Sequence, residues 1–391
     1  MIKFGTDGWR GVIAQDFTFT NVRLVSQAIA DYFASEQEPQ ILVGYDSRFL
    51  ASEFAAAAAE VLAANGIKVL FSCSFAPTPV FSYYTAKKNL AGAIIITASH
   101  NPAKYNGLKV KTRAGESASP QLTKQFEERV KKLSKQDVKQ DSFATALKAK
   151  QIQVIDPLPL YLNLLKSFVT VDLSRLKVVV DPLYGASQRC FAQFLTAQGV
   201  QVIEIHNSHN VTFGGLNPEP IEPHIDSLKR EVAANNAHLG LAFDGDGDRI
   251  GAVDGSGNFV NAHQIFALLL RYLVEELNLT GTVVKTVSTT RMIDSLAYKY
   301  GLELVETPIG FKHIAQQFQT KDVLIGGEES GGLAFKNHLP ERDGLLSGLL
   351  LLQAVKKAQK PLSVLVKELA KLTGPAHYGR LDLQFNHISP A

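Results

Sequence analysis

Short apolar runs rich in Val and Ile alternate along the chain with amphipathic or Ala-rich stretches, the pattern of βαβ units whose parallel strands are buried on both faces. The runs fall into three groups of three. ILVGYD (41–46), KVLFSCS (68–74) and GAIIITAS (92–99) form the first, and the Ala-rich segment 52–64 reads as its first crossover helix. KVVVDPLYG (177–185), VQVIEIH (200–206) and LGLAFDGDGDR (239–249) form the second. TVVKTVSTT (282–290), LELVETPIG (302–310) and DVLIGGEESGG (322–332) form the third. A pattern that repeats without repeating its letters predicts an α/β protein with three consecutive similar domains. In every group the last strand runs into a cluster of Gly, Ser and acidic residues. Ligands of open parallel sheets collect outside the carboxyl ends of the strands, so the three clusters predict one shared site.

Boundaries are read from turn signals. The charged stretch 124–150 has helical periodicity up to DPLP (156–159), which sets the first domain at 1–150. The turn cluster DGSGN (254–258) precedes an apolar helix around 265–273 and sets the second at 151–255. Gly374-Pro375 closes the third, 256–373.

Composition agrees with this organisation. At ~150 residues per domain, 391 residues make two or three domains. Apolar residues at 46% and charged residues at 20% describe an ordinary folded chain, and a net charge of +3 implies no dedicated nucleic-acid or membrane surface. The longest apolar run, 345–352, is broken by Ser347 and Gly348 and falls short of the ~18 residues a membrane span needs. MIKFGTDGWRG carries glycines and charges where a signal peptide needs an apolar stretch. The two cysteines, Cys73 and Cys190, show no disulfide or metal spacing and read as small apolar core residues. A cytoplasmic protein is expected.

DGDGDR is the strongest chemical signal. Asp244, Asp246 and Asp248 alternate with glycines at a strand end, and three crowded carboxylates repel unless a cation neutralises them. Oxygen ligands favour Mg²⁺. An EF-hand is excluded, since Arg249 and Gly255 stand where it needs Gly and Glu. The alternative is an acidic solvated turn.

In TASHNP, Ser99 follows an apolar strand and is either a nucleophile or the N-cap of a following helix. Thr97 and Asn101 exclude the GxSxG elbow of hydrolases. His100 and Lys109 are nearby candidates for proton transfer and charge neutralisation. GEESGG offers Glu328, Glu329 and Ser330 to sugar hydroxyls, and Lys312 in TPIGFKH suits a phosphate. HNSHN (206–210) reads as a polar loop.

Taken together, KFGTDGWRG, TASHNP, DGDGDR, TPIGFKH and GEESGG resemble the motifs of the α-D-phosphohexomutase family, which includes phosphoglucomutases and phosphomannomutases. The resemblance runs from residue 3 to about residue 345. It implies mixed, mainly parallel sheets around a central cleft. It makes Ser99 the phosphoserine, a phosphate oxygen of which joins Asp244, Asp246 and Asp248 around Mg²⁺. Arg10 and Arg249 then flank the phosphate, Lys109 is the proton-transfer candidate with His100 beside the serine, and Glu328 and Ser330 contact the sugar. The implied reaction interconverts hexose 1- and 6-phosphates through a 1,6-bisphosphate, with glucose 1,6-bisphosphate as activator. The Glu-Glu-Ser and Gly-Phe-Lys forms lean toward glucose phosphate, with mannose or glucosamine phosphate as alternatives. Sugar phosphates are the expected partners, and the chain is expected to be a monomer or weak dimer. The family's RxSGTEP-like loop of a fourth domain does not occur in this sequence, so 374–391 reads as a remnant of that domain, with an alternating strand over 377–385. A catalytically impaired sugar-phosphate binding protein is the rival reading.

Overall fold

The computed structural model describes residues 2–5, 7–34, 36–377 and 379. Its first sheet holds β1 (Trp9–Val12), β2 (Gln40–Tyr45), β3 (Lys68–Ser72), β4 (Gly92–Ile96), β5 (Tyr105–Thr112) and β6 (Ile152–Ile155) in the order β1-β5-β4-β2-β3-β6. The second holds β7 (Lys177–Asp181), β8 (Gln201–Glu204), β9 (Leu239–Phe243), β10 (Ile250–Asp254) and β11 (Phe259–Val260) in the order β11-β10-β9-β7-β8. The third is β13-β12-β14-β15, built from β12 (Thr282–Thr286), β13 (Leu304–Thr307), β14 (Val323–Gly327) and β15 (Leu333–Phe335).

One topology underlies all three. The first strand of each group is central, with the second and third parallel on either side of it: β3-β2-β4, β8-β7-β9 and β13-β12-β14. The third strand then turns back into an antiparallel fourth, β5, β10 or β15. TASHNP, DGDGDR and GEESGG are this same connection in successive domains. β4, β9 and β14 are buried along their whole length, which is why they are written almost entirely in Gly, Ala, Val, Ile, Leu and Phe.

Two boundaries move. β6 pairs in parallel with β3, so the first sheet continues past residue 150. β11 pairs with β10 and carries the second sheet past residue 255. The charged stretch 124–150 is helical only in part, as Pro120–Val130 and Phe143–Lys148, with a short 3₁₀ turn at Lys135–Asp137 between them. Helix Ala262–Glu275 starts where Asn261 and Gln264 exchange cap hydrogen bonds. One continuous apolar core runs from Leu42 and Phe81 through Phe191 and Phe243 to Leu351, so the domains share an interior. Cys190 is buried, whereas Cys73 lies just past the end of β3 and is exposed, contrary to the core reading. The strand expected over 377–385 lies outside the described residues apart from His377 and Gly379.

Candidate active site

The connection after β4 does not open a helix, which removes the N-cap reading of Ser99. Ser99 instead sits in a turn with φ +51°, a left-handed conformation that side chains beyond glycine adopt only when their surroundings impose it. Its amide donates to Thr97 Oγ1 at 2.9 Å and its hydroxyl donates to Asp244 Oδ2 at 2.7 Å. The serine loop and the aspartate loop touch closely: a Cβ on Gly245 would stand 2.3 Å from the Ser99 carbonyl oxygen, so only glycine fits there.

Asp244, Asp246 and Asp248 are fully buried, and one oxygen from each lies within 4.8 Å of the others. Asp246 Oδ1 and Asp248 Oδ1 are buried without a hydrogen bond among the described residues. Unsatisfied buried carboxylate oxygens beside a third carboxylate fit a hard divalent cation. Lys109 reaches the cluster from β5, its ammonium 2.7 Å from Asp246, 3.0 Å from Asp248 and 2.7 Å from Asp7. Burial lowers its proton affinity, but these three carboxylates outweigh that and raise it. For Asp246, burial is outweighed by Lys109 and the carboxyl is held low. For Asp244, burial and its two like-charged neighbours push the carboxyl well up.

A cleft of about 680 Å³ lies beside this cluster, meeting it through Asp7 and Arg249, and is lined among others by Arg10, His100, Glu328, Glu329 and Ser330. Arg10 Nη1 donates to Asn101 Oδ1, which fixes it over the serine loop. Arg249 Nε stands 4.0 Å from Asp244 and 3.8 Å from Asp248, and a backbone bridge from Arg249 to Gly332 joins the aspartate loop to GEESGG. The Arg249 guanidinium, burial and Arg10 together hold the His100 imidazole far below its ordinary range, so it is neutral. Burial pushes the Glu328 carboxyl up to about 7 against the pull of Arg342 and Arg249. Ser330 lines the same wall, its hydroxyl buried without a hydrogen bond among the described residues.

Lys312 is the exception. It lies at the start of helix Phe311–Phe318 and faces a small crevice beside Gly5, Asp7 and Ser117 instead of the main cleft. A different cation fills the gap. Arg342, which sequence reasoning passed over, pairs with Asp7, lies 2.9 Å from Asp248 and 3.6 Å from Glu328, and faces the Phe311 ring. It thus connects all three domains. Asp7, Arg48 and Thr78, which donates to Asp246 at 2.6 Å, were also passed over. Asp7 stands inside the GTDGWRG motif, and that was its available signal.

Three similar α/β domains that bring a serine turn, an aspartate cluster and the acidic GEESGG loop together beside one cleft define a phosphohexomutase. Sequence models of phosphoglucomutase/phosphomannomutase α/β/α domains I, II and III match residues 1–137, 159–257 and 261–372, and the chain belongs to that family. The phosphoglucosamine mutase of Acetivibrio thermocellus is 34% identical over 367 residues, which cover 93% of this chain and 80% of that one. The phosphoglucosamine mutase of Corynebacterium aurimucosum is 33% identical over 377 residues, 94% of this chain and 81% of its own. The structure of a phosphomannomutase-like protein of Thermus thermophilus superimposes with a TM-score of 0.88 at 33% identity, over 95% of this chain and 84% of that one. The chain is accordingly an intramolecular phosphotransferase of the isomerase class acting on a hexose or hexosamine phosphate through a phosphoserine and a bisphosphate. No helix among the described residues is long and apolar enough to cross a membrane.

Proposed function

We propose that the chain is a phosphoglucosamine mutase, interconverting glucosamine 6-phosphate and glucosamine 1-phosphate. This replaces the lean toward glucose. The observation that carries it is similarity over more than nine-tenths of the chain to relatives of that name, from several bacterial genera. The cleft is compatible with it: Glu328 and Glu329 line it and offer carboxyl groups to the ammonium of an amino sugar.

In this reading Ser99 carries the phosphoryl group, and Asp244, Asp246 and Asp248 hold Mg²⁺, which when bound supplies positive charge to the transferring group. Arg10 and Arg249 bind and orient the phosphate at the mouth of the serine turn. Transfer breaks the bond from phosphorus to Ser99 Oγ and forms one to the free sugar hydroxyl. The hydroxyl's proton leaves to a cleft group, and the departing Ser99 Oγ takes up a proton in exchange, which restores the hydroxyl that donates to Asp244. Lys109, held as an ammonium by three carboxylates, suits neutralisation better than proton abstraction, and His100 is too weakly basic. Glu328, poised near neutrality, has the proton affinity the step calls for. The resulting glucosamine 1,6-bisphosphate turns over and returns its other phosphate to Ser99, and glucose 1,6-bisphosphate serves as an activator by donating a phosphate to Ser99. The wall formed by Glu328 and Ser330 orients the sugar hydroxyls in both halves.

The test is a comparison of kcat/KM for glucosamine 6-phosphate, glucose 1-phosphate and mannose 1-phosphate, with Mg²⁺ and trace glucose 1,6-bisphosphate. Preference for glucosamine phosphate supports the proposal, and preference for glucose or mannose phosphate overturns it. Free phosphate as the main product would indicate a phosphatase, and binding without turnover an impaired binding protein.

A further inference from the structure

Arg48, just past β2, is 2% exposed and takes no part in the chemistry described above. Its guanidinium donates to four main-chain carbonyls of the serine loop. Nη2 reaches the carbonyls of Ser99 and Asn101 at 2.6 Å each, and Nη1 those of Pro102 at 3.1 Å and Tyr105 at 3.0 Å. Nε faces Asp46 Oδ2 at 3.3 Å. Four carbonyl dipoles aimed at one buried point repel one another unless a planar, multiply donating cation stands between them, and among side chains only arginine has that shape. The bracket also reaches the second domain. The Phe213 ring stacks 4.9 Å from the guanidinium, Ser47 Oγ donates to the Tyr184 carbonyl at 3.0 Å, and His209 Nε2 lies 3.0 Å from the Ser47 carbonyl oxygen. On its other side the Ser99 carbonyl abuts Gly245. The turn is therefore held between the guanidinium and the aspartate loop, and any shift of it moves Oγ relative to the carboxylates.

We infer that Arg48 is a positioning residue for phosphoryl transfer: it holds Ser99 in its left-handed turn and, through Phe213, keys that turn to the domain that carries the aspartates. The inference rests on the reading of Ser99 as the phosphate carrier. It predicts an effect on the rate of transfer at the serine with little effect on sugar binding, because no atom of Arg48 faces the cleft.

The experiment uses the full chain with Mg²⁺ and follows phosphorylation of Ser99 by glucose 1,6-bisphosphate in a single turnover, by intact mass, normalised to folded protein. Steady-state KM for the sugar phosphate is measured alongside. Lysine keeps the charge of Arg48 but not the fork, so Arg48→Lys is expected to slow phosphorylation about 100-fold, the penalty of a misplacement near 1 Å, with KM changed by no more than about two-fold. Phe213→Leu, which keeps an apolar side chain there and removes only the stacked ring, is expected to slow it about 10-fold with the fold retained. It decides the matter if Arg48→Lys does not fold. A purely structural role would lower the folded fraction and leave the rate per folded molecule unchanged, and that result overturns the inference while the phosphoserine reading stands. A wild-type chain that takes no phosphate at Ser99 overturns both.

Discussion

Replacing Lys109 with Met keeps an unbranched stem of similar length and deletes a charge that three buried carboxylates share. The ammonium lies 2.7 Å from Asp7, 2.7 Å from Asp246 and 3.0 Å from Asp248, and none of these side chains is more than 7% exposed. Removing one partner of a buried ionic cluster costs ~3–5 kcal/mol, here because Asp246 loses its ion pair and Asp7 and Asp248 are left to share Arg342. A divalent cation at the aspartates would supply the missing charge. It stabilises the folded chain as the logarithm of its concentration over its Kd, by about 2.7 kcal/mol at a 100-fold excess. The wild-type ammonium competes with such a cation, so Lys109→Met should also bind Mg²⁺ more tightly, at least about ten-fold, equivalent to about 1.4 kcal/mol. Urea unfolding followed by circular dichroism, once with EDTA and once with excess Mg²⁺, separates the terms. In EDTA the variant should show the full deficit; in saturating Mg²⁺, which stabilises the wild type as well, the deficit should shrink by the difference in binding, at least about 1.4 kcal/mol, while mutase activity stays lost in both. A deficit of the same size in both conditions would show that Lys109 and a cation do not serve the same carboxylates, and the metal assignment would fall with it.

Ser99→Ala should abolish phosphorylation and turnover while leaving the unfolding midpoint near that of the wild type, since one hydroxyl and its hydrogen bond to Asp244 are lost; phosphate gained at another residue of the wild type would refute the assignment. Glu328 has its carboxyl raised from 4.5 to about 7, so between these values the folded state binds a proton that the unfolded state has released, and stability falls as pH rises through that window. Glu328→Gln should flatten that slope and remove the rise of turnover with pH near 7; an unchanged pH profile would show that Glu328 is not the group that titrates. Gly245→Ala would drive a Cβ to 2.3 Å from the Ser99 carbonyl, a backbone atom that cannot swing aside. Turnover should drop at least about 100-fold with a stability loss of ~1–3 kcal/mol, and a fully active variant would show that the two loops need not touch.

What was legible in the sequence is chemistry that is local in sequence. Val178, Val179 and Val180 announce a strand because both its faces are covered, and the three aspartates announce a cation site because glycines crowd them into one turn. The same holds for Ser99, whose strand and turn are contiguous in the chain. What could not be read is charge compensation assembled across domains. Arg342 meets Asp7 across 335 residues, and Lys109 meets Asp246 across 137. In the sequence, Arg342 stands in PERDG and Arg48 in YDSRF, charged residues next to turns, which in isolation look like solvated loops. Lys312 looked equally good for a phosphate and folds away from the main cleft. The difference lies in which sheet edge each loop leaves. Because the same connection after the third strand recurs in all three domains, the serine, the three aspartates and the GEESGG carboxylates come from equivalent, pattern-bearing positions, whereas Asp7 precedes β1. Three buried cations packed around the site have no such equivalence. Arg48 follows the first strand of its domain, Lys109 lies on the returning fourth strand, and Arg342 lies beyond the third domain's last strand. Repetition therefore exposes the three aspartates, the GEESGG carboxylates and the serine to sequence reasoning, while Arg48 and Arg342 become visible, and Lys109 gains its three carboxylate partners, only once the domains are packed together.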